Sequence, residues 1–197
     1  LAAAHTGIAG IDADAYMALE KAEELQGAGQ LGDLTLDEAA AFSLYTAESE
    51  FYRTLNRRLR ERDRMALKPF YPYLRLLLQA RRKLPKYTRA VWRGVKRDLR
   101  GSFPKGKKLY WWSVISTTKE MSTLLNPMFC GTTGERTQFM IEAQSGADIQ
   151  RFSMIGVEAE VVLFPGTQLE VVGTADMGNA NGLFQESTCV SWLCGAT

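Results

Sequence analysis

The chain has 197 residues, 46% hydrophobic and 23% charged, with 24 Lys and Arg against 22 Asp and Glu. This composition excludes a disordered tail or a collagen-like fibre and describes one ordinary globular domain, able to bury a core without disulfides. One histidine, His5, and three cysteines, Cys130, Cys189 and Cys194, with no CxxC spacing, exclude a Ser-His-Asp triad, a Cys-His dyad, a zinc cage and a disulfide framework.

Residues 1–33 are expected to form a helical appendage, with a helix over about Asp12–Leu25 followed by a loosening at Gly27, Gly29 and Gly32. Residues 34–197 then form the main domain. Thr35-Leu36-Asp37-Glu38 fits a capping box, and Phe51, Leu55 and Leu59 recur every four residues through a second helix. Pro72, with Leu74, Leu77 and Leu78 behind it, predicts a third helix from near Tyr71 that ends before Pro85. From Arg89 the pattern changes to short β-rich segments: Ala90–Val95, Tyr110–Ser116, Thr137–Ala143, Val157–Leu163, Gln168–Val172 and Thr188–Leu193. Helices first and strands afterwards predict an α+β fold, with helices packed on mostly antiparallel sheet.

Formal charge is segregated, at −9 over residues 1–50, +17 over 51–110 and −6 over 111–197. The run Arg57-Arg58-Leu59-Arg60-Glu61-Arg62-Asp63-Arg64 could meet nucleic acid, anionic lipid or a phosphorylated ligand. A solvated helix face balanced by the acidic N-terminal block is the preferred reading, because no nucleic-acid motif accompanies the run. No apolar stretch approaches the ~18–20 residues of a membrane span, and Leu1-Ala2-Ala3-Ala4 lacks the basic flank of a signal peptide. With the unpaired cysteines, this makes a reducing, intracellular setting the expectation.

Three motifs could carry chemistry. In Val157-Glu158-Ala159-Glu160-Val161-Val162-Leu163, period-2 alternation points both glutamates to one face of a strand. Two carboxylates that close suit a division of labour, one facing a cation and the other a proton, although a polar row on an edge strand reads the same way. In Val91-Trp92-Arg93-Gly94-Val95 an arginine sits inside a hydrophobic strand, where it faces either an anion such as phosphate or a structural ion pair. Trp111-Trp112-Ser113-Val114-Ile115-Ser116-Thr117-Thr118 ends in three hydroxyls that either cap a helix beginning after Thr118 or orient a carboxylate or ligand.

In this order, Arg-Gly, then Ser-Thr-Thr, then Glu-x-Glu, the motifs resemble the arginine-specific mono-ADP-ribosyltransferases, a family that includes vertebrate ecto-enzymes and bacterial toxins. The likeness extends to Leu36…Tyr45-Thr46, Leu55-Asn56-Arg57-Arg58-Leu59-Arg60, Leu84-Pro85-Lys86-Tyr87 and Val161-Val162-Leu163-Phe164-Pro165-Gly166, covering roughly residues 34–195. It implies N-terminal helices packed on two mostly antiparallel β-sheets that form an NAD cleft, NAD as substrate, no metal, and a protein arginine as acceptor. The family's roles would give Arg93 a phosphate of NAD, Gly94 the nicotinamide amide through its backbone, and Ser116 the orientation of the catalytic glutamate. Thr117 counts with the cofactor-binding residues. Glu160 would grip the nicotinamide ribose and stabilise its cation, Glu158 would activate the acceptor guanidinium, and Phe129 would stack on nicotinamide. Residues 149–157, with Phe152 as their only aromatic, would recognise the acceptor. Thr118 departs from the family's more frequent serine, and the lack of an N-terminal cysteine departs from the secreted vertebrate branch. The alternatives are an NAD glycohydrolase of the same fold and a non-catalytic nucleic-acid or protein binding module using the basic block.

Overall fold

The computed structural model describes residues 6–47, 49–154, 159–176 and 187–194. The chain divides into two compact units, one of Leu1–Pro85 with Ala147–Glu158, the other of Lys86–Gly146 with Ala159–Thr197.

The first unit is helical. Helix α1 (Ile11–Gly27) buries Ile11, Ala15, Ala18, Ala22 and Leu25 along one face, and it ends where Gly29, at φ 66°, lets the Gln30 N–H reach the Leu25 carbonyl at 2.8 Å. Helix α2 (Leu36–Thr46) opens with the expected capping box. The Glu38 N–H donates to Thr35 Oγ1 at 3.3 Å, and the Thr35 N–H returns to Glu38 Oε2 at 2.8 Å. Lys83 Nζ meets the same carboxylate oxygen at 2.7 Å. Helix α3 (Glu50–Arg60) buries Phe51, Leu55 and Leu59 as their spacing predicts, and leaves Arg53, Arg57 and Arg60 exposed. Helix α4 (Tyr71–Lys83) has Pro in its first turn, where the missing N–H costs nothing. Its Tyr73 lies edge-on to Phe51 at 4.7 Å and donates to the Ala41 carbonyl at 2.8 Å. Helix α1 lies in the same compact unit as α2, α3 and α4, rather than forming a unit of its own.

The second unit carries the strands. They are β1 (Lys86–Tyr87), β2 (Ala90–Val95), β3 (Lys108–Trp111), β4 (Ile115–Thr118), β5 (Arg136–Glu142), β6 (Gly146–Asp148, at the division between units), β7 (Glu160–Leu163), β8 (Thr167–Asp176) and β9 (Ser187–Cys194). The hydrogen-bonded order includes β7-β4-β2-β5-β9-β8-β3. Along that run the β7-β4, β4-β2, β2-β5, β9-β8 and β8-β3 pairs are antiparallel and the β5-β9 pair is parallel. Among the described residues β2 meets β4 at one register pair, Trp92 opposite Thr118. That link is the narrow point of one nine-stranded hydrogen-bonded order, with β3-β8-β9-β5-β2 on one side of it and β4-β7 on the other.

The segment predicted as one strand over Tyr110–Ser116 is therefore two. Residues 108–111 pair with β8 and residues 115–118 pair with β7, and a single straight strand cannot follow both partners. The chain passes from one partner to the other at Trp112-Ser113-Val114. Val91, Ile115, Phe139, Ile141, Val161, Leu163, Leu169 and Val171 share one buried cluster, with Phe103 and Trp111 packed against it. Both aromatics lie edge-on to Phe139, at 5.5 and 5.9 Å, the arrangement favoured by the aromatic quadrupole.

Candidate active site

Strand pleating puts Val91 and Arg93 on one face of β2 and Trp92 and Gly94 on the other. Val91, opposite Ile141, is fully buried in the core. Arg93, two residues on and opposite Phe139, shares that face and is half-buried. Where β2 and β4 diverge beyond Trp92 and Thr118, Arg93 Nη1 donates to the Ser116 carbonyl at 2.7 Å. A charged donor makes this a stronger hydrogen bond than a neutral pair would.

The same residue is engaged through its side chain. In the β4-β7 ladder Ser116 stands opposite Val162 and Thr118 opposite Glu160, so Ser116 and Glu160 are diagonal neighbours on one face. Ser116 Oγ donates to Glu160 Oε1 at 2.5 Å, and Glu160 is 5% exposed. Three residues chosen from the sequence, Arg93, Ser116 and Glu160, are thus linked across β2, β4 and β7. The hydroxyl fixes which way the carboxylate faces, and burial strengthens the field of its charge on anything beside it.

Thr117 is not brought to this face. It points to the core side with Ile115, where its hydroxyl donates to the Val161 carbonyl at 2.6 Å and the residue is 4% exposed. Glu158 lies outside the described residues. Among the described residues strand β7 begins at Glu160, and the start of the expected strand at Val157 lies outside them. Phe152 corrects its expected place in an acceptor-facing loop: it is fully buried, stacked on Phe42 at 5.2 Å, with the Arg151 guanidinium over its ring. Its spacing from any helix or strand pattern gave no sign of this.

Gly94 lies on the other face of β2, and Cys130 occupies the space its side chain would need. A β-carbon there would stand 2.5 Å from Cys130 Cβ and 2.7 Å from Sγ. Burial pushes the Cys130 thiol pKa up, against the opposing pull of Arg136 and Lys96. Phe129, next to Cys130, is half-buried on the turn after the 3-10 segment Met121–Leu125. Thr118 Oγ1 supports the start of that segment, donating to Thr123 Oγ1 at 3.2 Å and accepting from the Glu120 N–H at 3.2 Å. Arg136 was not foreseen. It is 1% exposed, and its Nε and Nη2 both donate to the Gly134 carbonyl. One arginine at the start of a strand carries no distinguishing sequence signal.

Among the described residues no group of three or more His, Cys, Asp or Glu could hold a metal ion, and no helix is long and apolar enough to cross a membrane.

The fold is similar to that of several solved ADP-ribosyltransferases. Vis toxin from Vibrio splendidus superposes with a TM-score of 0.65 at 20% identity, over 94% of this chain and 86% of that one. Vis has also been solved in complex with agmatine. The Clostridium limosum C3 exoenzyme gives 0.64 at 14% identity, over 90% of this chain and 95% of that one. HopU1 of Pseudomonas syringae pv. tomato gives 0.67 at 18% identity, over 83% and 78%. No curated protein sequence matches. A family model described as NAD:arginine ADP-ribosyltransferase matches residues 19–188. The chain belongs to that family, and is an ADP-ribosyltransferase with NAD as its substrate.

Proposed function

We propose that the protein transfers ADP-ribose from NAD to an arginine side chain of a target protein and releases nicotinamide. The observation that carries this reading is the linked set Arg93, Ser116 and Glu160, with the carboxylate oriented by a 2.5 Å hydrogen bond in a nearly closed environment. Agmatine, the ligand in one Vis complex, ends in a guanidine like that of arginine, and this supports the choice of acceptor.

In this proposal Arg93 holds a phosphate of NAD, the Gly94 backbone binds the nicotinamide amide, and Phe129 lies against its ring. The glycosidic bond between ribose C1′ and the nicotinamide nitrogen breaks, and nicotinamide leaves with the bonding electrons as a neutral molecule. Glu160 holds the ribose 2′-hydroxyl and balances the positive charge left on the sugar. A fixed anion beside developing positive charge contributes more than it would in water, because no solvent must reorganise around it. A guanidinium nitrogen then attacks C1′. It is a poor nucleophile while protonated, with a pKa above ~12, and Glu158 takes its proton as the new bond forms.

Purified protein incubated with labelled NAD and agmatine tests this, with free nicotinamide and the ADP-ribosylated adduct followed separately. Wild type is expected to form both, Glu160→Gln neither, and Glu158→Gln nicotinamide without adduct. Normal adduct formation by Glu158→Gln would remove that glutamate from acceptor activation. Nicotinamide without adduct from wild type, on agmatine and on protein targets alike, would make water the acceptor and the protein an NAD glycohydrolase.

A further inference from the structure

The outward row of β2 makes contacts that the proposed chemistry does not use. Trp92 packs against Leu124 and Cys130. Gly94 receives Cys130 in the volume of its missing side chain, with Leu124 Cδ2 also 3.5 Å from where a β-carbon would stand. Lys96, next on the same row just past the strand, donates from Nζ to the Pro127 carbonyl at 2.5 Å. Trp92 and Gly94 of β2 and Lys96 just past its end therefore touch one segment, residues 124–130.

That segment is closed on itself. The Phe129 and Cys130 N–H groups both donate to the Asn126 carbonyl, at 3.0 and 3.2 Å, and the Gly131 N–H reaches the Leu124 carbonyl at 2.9 Å. The Met128 N–H donates to Asn126 Oδ1 at 2.9 Å. Gly131, at φ 70°, adopts the left-handed conformation that completes the turn. A turn tied internally in this way moves as one body, so what fixes Cys130 and Pro127 also fixes Phe129.

We infer that Gly94 and Lys96 are positioning residues for NAD: they seat the Asn126–Gly131 turn on β2 and so set where Phe129 stands relative to Arg93, the neighbour of Gly94 on the opposite face. The inference rests on the ADP-ribosyltransferase reading. It gives Gly94 a steric reason for its identity that is separate from ligand approach: a Cβ here meets Cys130, and a contact at 2.5 Å forces one of the two segments to shift. Glu160 stands on β7, outside the turn, and its hydrogen bond with Ser116 runs to β4; the turn is therefore tested through NAD binding, read apart from bond cleavage.

The test combines substitutions with two readouts, steady-state NAD cleavage and the rate at which a maleimide labels Cys130, located by peptide mass. Gly94→Ala is expected to raise KM for NAD about tenfold with kcat changed less than about threefold, the signature of lost binding. Labelling of Cys130, 1% exposed in the seated turn, should accelerate in the same variant. Adding Cys130→Gly to Gly94→Ala should return KM to that of Cys130→Gly alone, because the clash has been removed from the other side. Lys96→Met should raise KM severalfold, and Lys96→Arg, which restores a donor on a similar stem, should recover it. If Gly94→Ala costs the same with Cys130→Gly as without, the space belongs to NAD and the inference is overturned. A wild-type protein that leaves NAD intact would instead defeat the transferase reading. Labelling alone would then decide the seating, and an unchanged rate in Gly94→Ala would overturn it.

Discussion

Ser116 ties the site together because it offers two groups in two directions. Its carbonyl accepts from Arg93 and its hydroxyl donates to Glu160. Removing the hydroxyl leaves the strand intact and takes away one of the bonds that orient the carboxylate. Ser116→Ala is therefore expected to lower kcat for NAD cleavage about 10- to 100-fold with an unchanged melting temperature, and Glu160→Gln about 10²–10³-fold. Single-turnover nicotinamide release measures both. A Ser116→Ala protein with wild-type kcat would show that the 2.5 Å contact orients nothing that reacts. Arg93, Ser116 and Glu160 were picked out by the family that their ordered motifs resemble; taken singly, a polar group inside a hydrophobic β pattern reads as well as an ion pair, a cap or an edge-strand row. Thr117 counts in the sequence with the cofactor-binding residues, beside Ser116 as the residue that orients the glutamate. Pleating sent it to the core, and adjacency in the chain says nothing of which face a site will use.

At the scale of elements, α2 gives the most direct pH prediction. Burial alone would raise the Glu38 pKa, but the Lys83 ammonium and the Thr35 N–H outweigh it and hold the carboxyl below its usual value. A carboxyl whose folded pKa is depressed adds stability above its unfolded value, near ~4.3, and loses it as pH falls through the folded value. Glu38→Gln should thus cost about 1 kcal/mol at pH 7, with the gap from wild type closing below about pH 4. Urea midpoints at about pH 7 and about pH 3.5 check this, and an equal gap at both would remove the charge from the argument. Helix α1 makes a second prediction. Ala18 and Ala22 are 1% and 0% exposed, so the face they line has no room for a larger side chain. Ala22→Leu should destabilise by about 1–3 kcal/mol, read as a lower melting temperature. A free appendage would tolerate it. The capping box and the 3.6-residue spacing made these helices readable, whereas the break between β3 and β4 depended on which strands the segment would meet.

Over the whole molecule, the segregated charge acquires a physical location. The arginines of α3 line the solvent side of a helix whose apolar side is buried, and Arg53, Arg57 and Arg60 stand three or four residues apart with like sign. Such neighbours repel by a few tenths of a kcal/mol per pair, and salt screens the repulsion. Raising salt from about 50 to about 500 mM should therefore raise the melting temperature slightly. A fall would mean that ion pairs, such as Arg58 with Glu61 at 2.8 Å, outweigh the repulsion along that face. The compact units, one of Leu1–Pro85 with Ala147–Glu158 and one of the rest, follow a related rule. Glycines mark where a chain can bend, but compact units are defined by which buried faces find each other.

The sequence by itself determined the helices and the α+β order, because periodicity and caps are local properties, and its ordered motifs pointed to Arg93, Ser116 and Glu160 through the family they resemble. Tertiary structure alone decided that Thr117 turns to the core, that Phe152 belongs to a core, and that Cys130 fills the space beside Gly94. Each of these depends on register and packing between segments far apart in the chain, and strand register is fixed only when the whole hydrophobic face is buried at once.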